Sequence, residues 1–140
     1  MTEKTIQLDI VSAEASLFSG AVTSVIASGL AGELGIFPGH RHLLTRLKPG
    51  HVRAILDNKE EVFYLSGGML EVQPDCVTVL ADTAMRAEDI DEAAAQAAKE
   101  RAEKAIADKS SEIEYGKAMA ELAQSIAQLQ AIKKLRKHHR

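Results

Sequence analysis

Apolar positions in the first part of the chain fall in short runs. Ile6 to Val11, Val22 to Ala27, His51 to Leu56, Val62 to Leu65, Met69 to Gln73 and Cys76 to Ala81 each have strand length and are rich in Val, Ile or Leu. The residues between them have turn chemistry. Lys48-Pro49-Gly50, Asp57-Asn58, Ser66-Gly67-Gly68 and Gln73-Pro74-Asp75 supply fixed or positive φ angles, and each predicts a tight turn. In the last run Val77, Val79 and Ala81 alternate with Cys76, Thr78 and Leu80, so this strand is expected to be covered on both faces. Short strands at regular spacing predict a β-sandwich or a flattened barrel.

The pattern changes near Arg86. Beyond it there is no Gly until Gly116 and no Pro, and the period lengthens to that of a helix. Asp89-Ile90-Asp91-Glu92 has the form of a capping box and predicts a helix to about Ala107, lined mostly by alanine. A polar break at Asp108-Lys109-Ser110 and a second box at Ser111-Glu112-Ile113-Glu114 predict another helix. Tyr115, Met119, Leu122, Ile126 and Leu129 follow at alternating spacings of four and three, the seam of a coiled coil. Two helices joined by so short a link must run antiparallel. The predicted fold class is therefore α+β: a β-sandwich over residues 1–86, then an antiparallel two-helix hairpin over 87–140. A buried methyl contributes only about 0.8 kcal/mol, while alanine is the best intrinsic helix former. Strong helices with weak packing suit an element that docks and releases, although a permanently packed hairpin has the same periodicity.

Composition narrows the function classes. A chain of 140 residues, 46% hydrophobic and 26% charged, has the balance of a soluble globular protein. No apolar run approaches the roughly 20 residues of a membrane span, and the Met1-Thr2-Glu3-Lys4 start does not resemble a secretory signal. The single cysteine, Cys76, excludes an internal disulfide framework and fits a reducing compartment. A net charge of −3 and 4% aromatics argue against nucleic acid as a partner. The charge is unevenly spread: Lys133, Lys134, Arg136, Lys137 and Arg140 make a basic end with no acidic residue after Gln130.

Candidate chemistry is sparse. The glycines of Gly29 to His40 invite a phosphate-cradle reading, but no Gly-Lys-Ser/Thr ending or helix pattern follows. Leu34, Ile36 and Phe37 in that stretch either tuck beneath the turn or form a partner contact. His40 and His42 could share a strand face, yet no Cys or acidic cluster accompanies them at ligand spacing, so no metal site is expected. No Ser-His-Asp or Cys-His set has a convincing context, and Glu60-Glu61 has the look of a solvated turn.

One set of segments is distinctive. Gly32-Glu33-Leu34-Gly35-Ile36-Phe37-Pro38-Gly39-His40, Leu43-Leu44-Thr45, Lys48-Pro49-Gly50, Tyr64-Leu65-Ser66-Gly67-Gly68, Leu70-Glu71-Val72-Gln73-Pro74 and Val77 to Asp82 resemble the epsilon subunits of bacterial F-type ATP synthases, in order and over nearly the whole chain. The resemblance implies a non-catalytic, regulatory subunit with no cofactor, on the cytoplasmic face of the bacterial inner membrane. Its β-sandwich would bind the gamma subunit and touch the c-ring. Its hairpin would switch between a compact form and an extended form that reaches the alpha and beta subunits and blocks ATP hydrolysis. By position, Gly32, Glu33, Leu34 and Gly35 resemble the c-ring-facing loop, and Ser12, His40 and Thr45 resemble gamma-facing positions. Lys133, Lys134, Arg136 and Lys137 correspond to the inhibitory end of the hairpin. Two departures stand out. Arg41-His42 replaces the Ala-Pro common after the histidine, removing a rigid φ and adding charge. Ala94 stands where the ATP-binding motif beginning at Ile90 and Asp91 has arginine, so nucleotide binding is not expected. A free-standing β-sandwich adaptor with a coiled-coil tail is the alternative on architecture alone.

Overall fold

The structure, a computed structural model, describes residues 4–108 and 112–138. Among the described residues nine strands come first: β1 (Ile6–Ser12), β2 (Ser16–Val22), β3 (Ser24–Gly29), β4 (Gly32–Ile36), β5 (Leu43–Leu56), β6 (Lys59–Leu65), β7 (Gly68–Val72), β8 (Cys76–Ala81) and β9 (Ala84–Arg86). A short 3₁₀ turn at Ala87–Asp89 leads to α1 (Glu92–Asp108) and α2 (Glu112–His138).

Strand β5 is the structural hinge of the sandwich. Its first half pairs with β7, from Leu43 opposite Val72 to Leu47 opposite Gly68, in a layer ordered β2-β1-β8-β7-β5. Its second half pairs with β3 on one side and β6 on the other, in a second layer that also holds β4 and β9. Lys48-Pro49-Gly50, expected to be a tight turn, instead lies inside this strand, where it passes from one layer to the other. Proline is tolerated there because ladder bonding is already interrupted. At Gly50 an added Cβ would come within 2.6 Å of the Ser28 side chain, so the crossing needs glycine for close approach. Ser66-Gly67-Gly68 forms the expected turn, with Gly67 at φ 132°. Asp57 takes the left-handed φ of 54° in the β5–β6 turn.

The core lies between the layers. Leu8, Ile10, Leu70, Val72, Val77 and Val79 from one meet Val25, Ile36, Val52, Phe63 and Leu65 from the other. Phe18 and Phe63 meet edge to face at 5.8 Å, the Arg86 guanidinium lies 5.2 Å over the Phe63 ring, and Arg86 Nη2 donates to the Leu17 carbonyl at 2.9 Å. These contacts close β9 onto β2. The alternation in β8 is one-sided: Val77, Val79 and Ala81 are buried, but Leu80 is 53% exposed, so that face of the strand is not covered. The stretch after Gly29 is a hairpin rather than a long loop, with β4 pairing to β3 from Ile36 opposite Val25 to Gly32 opposite Gly29. Leu34 and Ile36 tuck inward, whereas Phe37 is exposed.

The helices pack antiparallel. Arg136 near the end of α2 forms an ion pair with Glu92 at the start of α1, and Arg101 lies 3.6 Å from Glu121 midway. The cap of α1 is Asp91, whose Oδ1 accepts the Ala94 backbone N–H at 3.1 Å; Asp89, the expected cap, belongs to the preceding 3₁₀ turn. The break at Asp108-Lys109-Ser110 and the box opening at Ser111 lie outside the described residues or their described side chains. Of the expected coiled-coil seam, Leu122, Ile126 and Leu129 are half-buried, but Tyr115 and Met119 are exposed; among the described side chains those fully buried along α2 are Ala118, Ser125, Ala127, Ala131 and Ile132. The reason is that α2 has two neighbours, α1 and the sheet, and small residues let backbones approach on both sides.

Candidate functional site

Each layer of the sandwich has an outer face, and α2 covers that of the second layer. Strand alternation puts Val52 and Ala54 of β5 in the core, so His51, Arg53 and Ile55 point out. Across the β5–β6 ladder, His51 faces Tyr64 and Arg53 faces Val62. Val62 and Tyr64 form a separate buried cluster with Ala87 and with Ala127 and Ala131 of α2, and Ile90 and Leu135 pack at its edge. Ala127, Ala131 and Leu135 recur every four residues, one stripe of the helix lying on the sheet. Gln128 hydrogen-bonds the Tyr64 side chain, whose pKa is pushed up by burial and only partly offset by that bond. Beside them Arg53 and Glu60 form an ion pair within the sheet.

His51 is the polar anomaly of this interface. Its side chain is 8% exposed, and among the described residues neither ring nitrogen has a hydrogen-bond partner. Glu33 of β4 is the nearest carboxylate, 3.8 Å from Nε2. Burial lowers the His51 pKa; Glu33 opposes this, while Lys134 of α2 and Arg53 reinforce it. Sequence reading singled out Glu33 and Lys134 for separate partners and passed over His51 as an ordinary strand residue. The structure brings all three to one place. The only signal in the sequence was a histidine inside a run of apolar strand residues.

The other candidate residues are dispersed. Gly32, Glu33, Leu34 and Gly35 are a strand next to the Leu30-Ala31 turn, and Leu30 at its tip is exposed. Ser12 ends β1, where its hydroxyl accepts the backbone N–H groups of Glu14 and Ala15, both at 3.3 Å. His40 lies at the opposite end of the same layer, held near the β7–β8 turn by the bond from the Gly39 N–H to the Pro74 carbonyl at 2.9 Å. Thr45, opposite Leu70, points inward with Leu43 and Leu47; the outward residues are Leu44 and Arg46. Ser12, His40 and Thr45 thus form no single cluster. Ile90 is packed on the Val62–Tyr64 cluster, the Asp91 carboxylate is occupied as a helix cap, and Ala94 is exposed. Of the basic end, Lys133 is exposed, Lys134 is half-buried, Arg136 is engaged with Glu92, and the Lys137 side chain lies outside those described. Partial burial, followed by the Asp75 carboxylate, pushes the Cys76 thiol up, away from the reactive thiolate.

Comparison with known proteins accounts for this architecture. Residues 5–87 match the family ATP synthase, Delta/Epsilon chain, beta-sandwich domain, and residues 88–133 match its long alpha-helix domain. The ATP synthase epsilon chains of Legionella pneumophila strains Corby and Paris are each 58% identical over 134 residues, covering 95% of this chain and 96% of theirs. The chain belongs to the ATP synthase epsilon-chain family. The fold is shared at much lower identity with a chain of the Euglena gracilis mitochondrial ATP synthase in its OSCP/F1/c-ring structure. That chain is 21% identical with a TM-score of 0.83, over 91% of this chain and 81% of that one. A chain of the Tetrahymena thermophila central stalk and c-ring structure is 11% identical with a TM-score of 0.62, over 94% and 99%. Among the described residues no helix of this epsilon chain is long and apolar enough to cross a membrane.

Proposed function

We propose that this epsilon chain is a non-catalytic stalk subunit whose hairpin regulates the enzyme by leaving the face it covers here. The sandwich, residues 1–86, is the rotor-binding part: it holds the gamma subunit and lets the Glu33 region meet the c-ring. Residues 87–140 are the regulatory part. Released and extended along gamma, the hairpin reaches the alpha and beta subunits and blocks ATP hydrolysis. Lys133, Lys134, Arg136 and Lys137 supply the inhibitory contact, on the cytoplasmic face of the bacterial inner membrane.

One observation carries this reading. The hairpin is fastened to the sandwich by a narrow stripe, Ala127, Ala131 and Leu135 on Val62 and Tyr64, while the sandwich has a separate core of its own. Arg136 is held by Glu92 within the hairpin, so in this compact arrangement one of the proposed inhibitory cations is already engaged. No ATP dependence of the switch is expected, because Ala94 offers no charge-assisted bond where the motif has arginine and one oxygen of Asp91 caps α1.

Truncation after Ala87 tests the proposal. The shortened chain should still bind gamma and support ATP synthesis in the reconstituted enzyme, with hydrolysis raised. Hydrolysis unchanged from the full-length chain would count against a regulatory hairpin; loss of gamma binding would place the rotor contact in the helices.

A further inference from the structure

We infer that His51 is a proton-sensitive latch: the hairpin docks on the sandwich while this imidazole is neutral and is released when it takes up a proton. The argument begins with position. His51 lies on the outer face of β5, opposite Tyr64, within the area that α2 covers. A histidine there could have been satisfied by a carbonyl or hydroxyl. Instead, its backbone exchanges bonds with Ser28, from His51 N–H to Ser28 Oγ at 3.3 Å and from that hydroxyl to the His51 carbonyl at 3.2 Å. The ring is left with no hydrogen-bond partner among the described residues.

Charge surrounds it unequally. Lys134 faces it from α2, Arg53 from its own strand and Glu60 from β6, while Glu33 faces it from β4 and Tyr64 lies across the ladder. Arg53 and Glu60 are paired with each other, so their charges largely offset. Glu33 is more than half exposed at 3.8 Å, and water weakens its hold. A proton on His51 would therefore create a cation beneath an apolar helix stripe and beside Lys134, the cation that this helix itself brings. Undocking relieves both penalties, because it returns the ring to water and carries Lys134 away.

The sign follows from linkage. Burial lowers the pKa of the docked form below the ordinary value of 6.5, and release moves it back up by returning the ring to water. Docking is then fully stable above about pH 6.5 and weakens as pH falls through that value, by at most about tenfold per pH unit for one proton. The loss stops growing below the docked pKa, where both forms are protonated.

This inference rests on the proposed release of the hairpin, and the experiment separates the two. Spin labels at Glu14→Cys and Glu103→Cys, in a Cys76→Ser background of the full chain, report the distance from sandwich to hairpin. Between pH 8 and pH 7 the short distance should dominate; between pH 6.5 and pH 5.5 a longer, broader population should grow several-fold. His51→Gln, neutral throughout, should remove that growth. Glu33→Gln should enlarge it, since the one compensating carboxylate is gone. Ala131→Arg at pH 8 is the control for release itself. If it separates the labels while acid does not, the latch is wrong and the hairpin still detaches. If neither separates them, release fails and the latch with it. Acid release that persists unchanged in His51→Gln also overturns the latch, by assigning the proton elsewhere. Should His51→Gln fail to fold, the His51 imidazole titration in the unsubstituted chain decides: a midpoint at or above 6.5 in the docked form contradicts the proposal.

Discussion

The sandwich interior and the face beneath the hairpin are both buried, but by different means. Between the layers, Phe63, Leu8, Ile10, Leu65 and Leu70 interlock at full burial, and each large apolar side chain contributes about 1.5–3 kcal/mol. Beneath α2 the helix contributes Ala127 and Ala131, a methyl group each at about 0.8 kcal/mol per carbon, with Leu135 only half-buried at the edge. The helices themselves need little from this contact, since alanine-rich segments hold helical form well. The difference shows how one chain can hold a permanent part and a detachable part. Large interlocking side chains make layers that separate only on unfolding, whereas small side chains on stable helices make a surface that can part intact.

The largest expected break in this comparison is Phe63→Ala. It removes the Phe18 edge contact and the ring beneath Arg86, and should destabilise the sandwich by about 3–5 kcal/mol in denaturant unfolding. A cost under about 1 kcal/mol would mean that the layers are not jointly held by this core. Ala131→Arg comes next. A long cation forced between α2 and Tyr64 should abolish hydrogen-exchange protection that depends on docking, yet move the unfolding of the sandwich by no more than about 0.5 kcal/mol. If the sandwich unfolds with it, the two regions are one cooperative unit. The smallest effect belongs to Arg136→Gln. Its pair with Glu92 is exposed on both sides, so hairpin stability should fall by less than about 1 kcal/mol, and added salt should erase the difference.

Much of this was legible in the residues. Short apolar runs between turn residues located β1, β7 and β8, whereas β8, expected to be covered on both faces, leaves Leu80 exposed because no described element packs on that side of its layer. The helices and their antiparallel pairing followed from period and link length. What failed did so for physical reasons. Lys48-Pro49-Gly50 has turn chemistry, but the same residues serve where a strand bends between layers. Ser16–Val22 was missed because its first part, Ser-Leu-Phe-Ser-Gly, carries little β-branched character and lies on an edge. The apolar period of α2 points to its large residues, of which Leu122, Ile126 and Leu129 are only half-buried, while close packing on two sides fully buries chiefly alanine. His51 could not be found from spacing, since its significance comes from Glu33 and Lys134, 18 residues before it and 83 after it in the numbering. Only folding places them together.

Native-state hydrogen exchange of the intact chain at neutral pH tests the division most directly. Released helices keep their internal bonds but fray without the sheet beneath them, so amides of α1 and α2 should exchange at a free energy below that of global unfolding, while β1, β5, β7 and β8 keep full protection. If helices and core strands instead exchange through one shared opening at the same free energy, the hairpin is part of the permanent structure and does not detach.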